Sequence, residues 1–159
     1  MGEEIAEIER LYTAFPKLKD DTDFKFTSPA TPNYNCIAWA CVYDDRWMWP
    51  GGVEAKILDG FHYWPDGVED NEDVTAFMNA FQLKGYSICN TWEHEEGYRR
   101  IALYVEEGTT KCTHASRELL SGKWTSKLGK DKDIQHGTPF SIEGSIYGKV
   151  YCVMKKEHK

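Results

Sequence analysis

The sequence predicts an α+β fold in which N-terminal helices precede an antiparallel sheet. Apolar residues recur at helical spacing in three segments before Gly85, and after it the pattern changes to strand-like alternation. Segments rich in glycine and threonine separate these later strand candidates, as expected for hairpin connections. Because 159 residues suffice for one hydrophobic core, residues 1–159 are predicted to form a single domain.

The first half of the chain contains the predicted helices. Residues 3–15 form an amphipathic helix that Pro16 closes. Residues 17–34 are polar and predict a loop, which leads to a largely buried helix at CIAWACVYDD, residues 36–45. After an aromatic loop, EDNEDVTAFMNAFQLKGY predicts a third helix, capped by Asp70 or Asn71 and ended by Gly85.

The second half of the chain contains the predicted strands. The candidates are YSICNTW, YRRIALYVE, KCTHASREL, KWTSKLG and YGKVYCVMKK. The connections EEG, EEGTT and SG are predicted to form hairpins between consecutive strands. The DIQHG segment, which contains His136, is predicted as a loop or turn.

Composition excludes several partner classes. The chain has 26 acidic and 19 basic residues and a formal net charge of -7, which argues against nucleic acid as a partner. No stretch is apolar enough to span a membrane, and the acidic N-terminus does not resemble a secretory signal. Five scattered cysteines predict free thiols in a reducing compartment, so a cytoplasmic location is expected. No nucleotide or cofactor motif occurs, and no cofactor is expected.

Asn35 and Cys36 form the strongest candidate for chemistry. Asn35 is a good N-cap residue, so Cys36 is predicted at the first helical position, where backbone amides favour a thiolate. The same amides, with the side chain of Asn33 or Asn35, are candidates for an oxyanion hole. The alternative is that Cys36 is a buried core residue, as cysteines often are.

His114 is the candidate general base, because it lies within a predicted strand. The alternative is a strand histidine bonded to a backbone carbonyl. His136 is a candidate orienting group. The spacing of Cys36, Cys41, Cys112 and His114 does not match a zinc site, so no metal is expected.

Three tryptophans beside the predicted Cys36 helix are candidates for a binding groove. They are Trp39, Trp47 and Trp49, of which the last two flank the predicted helix break. Core packing is the alternative for each of them.

An early helix with a cysteine, followed by an antiparallel sheet with a histidine, resembles the papain-like cysteine hydrolase superfamily, including its cell-wall amidase branch. The motifs TPNYNCIAWA, THASREL, WTSKLG and DIQH also resemble a bacterial domain family of similar length. The papain-like resemblance implies a papain-like fold with Cys36, His114 and Ser126 as the catalytic set. Asp131, Asp133 and His136 are alternatives for the third residue.

The papain-like resemblance allows a second alignment, in which Arg100 occupies the base position and His114 the third. Since arginine stays protonated, such a chain would bind without cleaving. The expected function is therefore a cysteine hydrolase acting on an amide bond of a peptide, a peptidoglycan stem or a side chain. The alternative is a non-enzymatic binding module, of inhibitor or immunity type, that uses an acidic surface and tryptophan loops. Either way the expected partner is a peptide or protein, and the oligomeric state stays open.

Overall fold

A computed structural model describes residues 2–28, 34–42, 47–50, 62–128 and 133–157. Three helices are described, and two 3-10 helices follow α1 and β8. The helices are α1 (Gly2–Ala14), α2 (Cys36–Ala40) and α3 (Val74–Leu83), and the 3-10 helices span Pro16–Asp20 and Pro139–Ile142. The strands are β1 (Lys25–Ser28), β2 (Trp47–Met48), β3 (His62–Tyr63), β4 (Ser87–Cys89), β5 (Tyr98–Val105), β6 (Cys112–Glu118), β7 (Trp124–Lys127), β8 (Asp133–His136) and β9 (Lys149–Glu157). The predicted α+β class is confirmed, but the strands do not all follow the helices, because β1 precedes α2.

Seven strands form one open antiparallel sheet in the order β1-β8-β7-β6-β5-β9-β4, and β2 pairs in parallel with β3. The predicted EEGTT and SG connections join neighbouring antiparallel strands, β5 with β6 and β6 with β7. The EEG connection does not make a hairpin, because β9 lies between β4 and β5. Strand β9 pairs along the whole of β5, from Tyr98 opposite Glu157 to Val105 opposite Lys149, whereas β4 has three residues.

Two strands of the seven-stranded sheet were missed by the sequence prediction, and they are neighbours at one edge of it. The DIQH segment is strand β8, and β1 lies in the predicted loop 17–34. Each has four residues, which is too short for alternation to be visible in the sequence. Pairing with the longer hairpin strands provides the backbone hydrogen bonds that make them strands.

The ends of two helices also differ from the prediction. Helix α2 has five residues and ends at Ala40, because Val42 adopts a left-handed φ of 68°. Helix α3 begins after Asp73, whose Oδ2 accepts a hydrogen bond from the Thr75 amide at 3.0 Å. The predicted cap Asn71 instead accepts one from the Asp73 amide at 3.0 Å.

The sheet separates two hydrophobic clusters, and its strands send alternate side chains to each. On one side, called the α2 face, Ile101, Leu103 and Ala115 pack with helices α2 and α3. On the other side, called the α1 face, Ala102 and Tyr104 pack with α1 and the first 3-10 helix. Consecutive strand residues therefore lie in different clusters. In the described ranges, no helix has the length and apolar character to cross a membrane.

Candidate functional site

Cys36 occupies the first position of α2, as predicted from the asparagine before it. Asn35 is extended, and its Oδ1 accepts a hydrogen bond from the Ala38 amide at 3.1 Å. The Asn35 side chain also bonds the backbone of Met48 twice, at 3.0 Å to the amide and at 2.8 Å to the carbonyl. The predicted cap is therefore confirmed, and the Asn35 amide is engaged by the neighbouring β2 strand.

The Cys36 thiol lies inside the hydrophobic cluster of the α2 face. The residue is 7% exposed and packs against the backbone of Ala115. Burial raises the pKa of Cys36 to about 11, and hydrogen bonds from backbone groups and the charge of Lys127 offset this only in part. At neutral pH the sulfur is a thiol and not the thiolate that attacks carbonyl groups.

The polar side chains nearest Cys36 carry charge. Lys127 is fully buried, with its Nζ 5.4 Å from the centre of the Tyr34 ring. The Tyr34 hydroxyl donates to Asp133 Oδ2 at 2.7 Å, and Asp133 lies directly opposite Lys127 in the β7–β8 ladder. A tyrosine, a lysine and a carboxylate thus surround the part of the α2 face under the helix N-terminus.

His114 lies on the α1 face, across the sheet from Cys36. Its ring stacks on Tyr147 at 3.8 Å between centroids and contacts Tyr104 at 5.2 Å. The next residue, Ala115, packs with Cys36 on the other face. Within the described part of the chain, neither ring nitrogen has a hydrogen-bond partner. Burial, and then the nearby His136, lowers the pKa of His114 well below its usual range, so the ring is neutral.

Ser126 and His136 also lie on the α1 face, where they bond each other. Ser126 Oγ is 2.8 Å from His136 Nε2, and His136 Nδ1 is 2.7 Å from the Thr138 carbonyl. Burial lowers the pKa of His136 to about 4. Both side chains are fully buried, so this pair has no access to a substrate.

Arg100, the base position in the second papain-like alignment, is on the α1 face as well. It follows the same alternation as Ala102 and Tyr104. Its guanidinium donates to the Thr91 carbonyl at 3.2 Å and to Glu95 Oε1 at 3.0 Å. Neither alignment therefore brings its base to the Cys36 thiol.

The predicted catalytic set is thus divided by the sheet. His114 and Ser126 share one face, and Cys36 lies on the other. Among Ser126, Asp133 and His136, the candidates for a third residue that the structure describes, Asp133 alone lies on the Cys36 face. Asn33 and Asp131 lie outside the described residues. Among the side chains that are described, no three His, Cys, Asp or Glu residues gather as metal ligands would.

The predicted tryptophan groove is described in part. Trp39 is half-buried, stacks on Tyr34 at 5.3 Å and lies under the guanidinium of Arg117, 4.0 Å from its ring centre. Trp49 donates from Nε1 to Glu72 at 3.0 Å and packs on Phe77. The side chain of Trp47 lies outside the described residues. Trp39 contacts Arg117, which lines a surface pocket, although Trp39 itself is not among the lining residues.

This pocket, called the Arg117 pocket, lies where β5 begins and β6 ends. It has a volume of about 150 Å³ and is lined by Val42, Tyr98, Arg99, Arg117, Glu118, Leu119 and Leu120. Arg117 Nη1 donates to the Trp39 carbonyl at 3.2 Å, at the end of α2. Val42 and Leu120 are 48% and 73% exposed. The pocket therefore combines cationic side chains with exposed apolar ones.

Sequence reasoning missed Lys127 and Arg117. Both lie in strands of the THASREL and WTSKLG motifs, at positions that alternate with Ser126 and His114. All four residues of β7 are buried, and the burial of a lysine in such a strand is unusual. Strand parity was the signal that could have identified Lys127. It directly follows Ser126, so it lies on the other face of the sheet, where it is opposite Asp133.

One family model matches residues 25–155 and is described as "Domain of unknown function (DUF7689)". Searches among curated proteins and among solved structures found no match.

Proposed function

We propose that this chain, which belongs to the DUF7689 family, is a non-enzymatic binding domain of papain-like plan that holds a peptide or protein partner at the Arg117 pocket. The papain-like plan is supported by helix α2, whose capped cysteine end packs across β6 and β7. In this proposal Cys36 is a packing residue. The exposed side chains of Val42 and Leu120 contact the partner.

The observation that carries the proposal is the separation of Cys36 from both buried imidazoles. A cysteine hydrolase needs a base within about 3 Å of its thiol, directly or through one water. His114 stacks on Tyr147 and His136 bonds Ser126, and both contacts are on the α1 face. A strand cannot rotate one residue to the opposite face without moving all its neighbours.

The chemistry of the thiol supports the same conclusion. With a pKa of about 11, Cys36 is almost entirely protonated at neutral pH. The five backbone groups of α2 are too few for a strong helix dipole, and the Asn35 amide is bonded to Met48. Among the described residues, the backbone groups and Lys127 that lower the pKa of Cys36 do not offset the effect of its burial.

Alkylation of Cys36 tests the proposal. Native protein is treated with iodoacetamide at a series of pH values, and the labelled Cys36 peptide is measured by mass spectrometry. We expect labelling about 100-fold or more slower than in urea, with no inflection below pH 9, because the thiol is buried and protonated. Cys89, which is partly exposed, serves as the internal control for reagent activity.

A fast reaction at Cys36 with an inflection near neutral pH would support the hydrolase predicted from the sequence instead. In that case the Cys36→Ala variant should also lose cleavage of reporter peptide amides. If labelling is slow and the unfolding free energy of Cys36→Ala is within about 2 kcal/mol of the wild-type value, the thiol is a packing group.

A further inference from the structure

Two arginines lie together in the Arg117 pocket although the chain as a whole is acidic. The formal net charge is -7, yet Arg99 and Arg117 line the same small pocket. Burial, and after it the charge of Arg99, lowers the pKa of Arg117, which indicates that the two guanidiniums repel each other. Arginine side chains carry a positive charge in proteins. An anion bound in the pocket would therefore be attracted by both guanidiniums.

The guanidinium of Arg117 is held in a fixed plane. It lies 4.0 Å from the Trp39 ring centre and uses Nη1 to bond the Trp39 carbonyl. Arg99 lies against the buried Tyr86, whose hydroxyl it contacts. Because the two groups are positioned before any ligand arrives, less entropy is lost on binding. Such a fixed fork suits a planar anion with two oxygens.

The rest of the lining is mostly apolar. Val42, Leu119 and Leu120 contribute aliphatic side chains and Tyr98 an aromatic ring. Glu118 also lines the pocket, but both of its carboxylate oxygens are buried. A volume of about 150 Å³ is below the roughly 300–1,000 Å³ of sites that enclose whole small molecules. The pocket therefore suits one side chain or one chain end of a larger partner.

Val42 provides an independent reason to regard the pocket as functional. Its φ of 68° is in the left-handed region, which a β-branched residue rarely adopts, and it follows directly on helix α2. Glycine is the usual residue at such a position. Strain of this kind costs about 1–3 kcal/mol and clusters at ligand sites. Here it holds an exposed valine at the pocket wall.

We infer that the Arg117 pocket binds the carboxylate of a peptide, with an adjoining apolar side chain packed against Val42 and Leu120. This inference rests on the proposed function only in that the peptide is bound and not cleaved. A carboxylate is favoured over a phosphate because the net charge of -7 repels a dianion more strongly than a monoanion. A C-terminal carboxylate and an aspartate or glutamate side chain share this chemistry.

Binding of three short peptides tests the inference. The probes are acetylated Gly-Ala-Leu with a free C-terminus, the same peptide amidated, and amidated acetyl-Gly-Ala-Glu. Affinity is measured by titration into ¹⁵N-labelled protein, with the Arg Nε–H signals followed. We expect the free C-terminus or the glutamate peptide to bind about tenfold or more tightly than the amidated leucine peptide. Whichever of the two binds more tightly identifies the source of the carboxylate.

Two charge-matched variants identify the pocket. Arg117→Gln removes a charge inside it, and Arg10→Gln removes the same charge from an exposed position on α1. We expect Arg117→Gln to weaken the carboxylate peptide about tenfold or more, whereas Arg10→Gln changes its affinity less than twofold. If both variants lost the same affinity for the peptide, net charge alone would explain the effect and the inference would be overturned.

A third variant changes an exposed residue, so its effect on binding is separate from any effect on folding. Leu120 is 73% exposed, so Leu120→Glu should leave the unfolding midpoint unchanged. Its new carboxylate would compete for the arginines, so we expect Leu120→Glu to weaken the peptide about tenfold more than Leu120→Gln, which removes only the apolar contact. The assignment of a carboxylate ligand would be wrong if inorganic phosphate bound more tightly than the peptides. It would also be wrong if the amidated leucine peptide bound as tightly as the peptides that carry a carboxylate. If Cys36 were labelled fast and peptide affinity still depended on Arg117, the non-enzymatic function would be overturned and the pocket would be a substrate site.

Discussion

On the α2 face, Lys127 and Asp133 lie opposite each other and fully buried beside Cys36, whereas the centre of the α1 face buries neutral groups. There Ser126 bonds His136 at 2.8 Å, and the Tyr104 hydroxyl is 3.0 Å from Ser116 and donates to the Pro139 carbonyl. The region beside Cys36 thus buries charge next to a thiol, whereas the region around His114 and His136 buries uncharged imidazoles next to hydroxyls.

Strand parity, and not nearness in sequence, decides which polar residues lie together in this sheet. His114 and Ala115 are neighbours in the chain, yet one stacks on Tyr147 and the other packs on Cys36. Each face takes every second residue of the same motifs. Away from the strand ends, where the Arg117 pocket is lined by both Tyr98 and Arg99, side chains that act together must therefore share one parity.

The largest expected effect comes from breaking the charged cluster of the α2 face. Lys127→Met removes a buried positive charge that lies opposite Asp133 and over the Tyr34 ring. Because the Asp133 carboxylate then stays buried without that charge, we expect a loss of about 3–5 kcal/mol in unfolding free energy. Urea unfolding followed by circular dichroism measures it.

The double variant Lys127→Met/Asp133→Asn controls for packing. If charge is the cause, removing both charges should recover about half or more of the loss, as a double-mutant cycle would reveal. A double variant no more stable than Lys127→Met would mean that the two groups are not coupled, and the contrast between the faces would disappear.

The sequence predicted the larger elements of the fold because their patterns are long. Strands β5, β6 and β9 have eight, seven and nine residues, and Asn35 before Cys36 is a local capping pattern. The place of β9 between β5 and β4 is a long-range pairing that no local pattern encodes. Short strands such as β8 depend on their partners in the same way.

The candidate site was harder to predict, because it depends on which face each residue takes. The helix start at Cys36 could be predicted. The residues of β6 that face α2 could not, because tertiary packing decides which side of the strand the helix covers. The Arg117 pocket joins Val42, Arg99 and Arg117 from three separate elements. Their meeting follows from the sheet order and not from a motif.

The neutral histidines of the α1 face predict a loss of stability in acid. His136 has a pKa of about 4 when folded and 6.5 as a free side chain, so the unfolded chain binds its proton first as the pH falls. The stability it contributes is complete above pH 6.5 and is lost towards pH 4. Between about pH 7 and about pH 5 we expect a loss of about 2 kcal/mol from His136.

The control for this effect is the slope of stability with pH. His136→Gln keeps a hydrogen-bonding group near Ser126 but has no titrating proton. Its unfolding free energy in urea should fall less than that of wild type over the same pH range, by about 2 kcal/mol. Parallel slopes for the two proteins would show that His136 is not buried as a neutral ring.

The smallest expected effect comes from His114, and it bears most directly on the difference between the faces. His114→Phe keeps an aromatic ring stacked on Tyr147, and the described part of the chain offers the imidazole nitrogens no hydrogen-bond partner to lose. We expect a change of less than about 1 kcal/mol at neutral pH. Since the sheet lies between His114 and Cys36, the alkylation rate of Cys36 should also stay within twofold of wild type. A rate that falls tenfold in His114→Phe, with Tyr147→Phe unchanged, would mean that the imidazole reaches the thiol and that the two faces exchange protons after all.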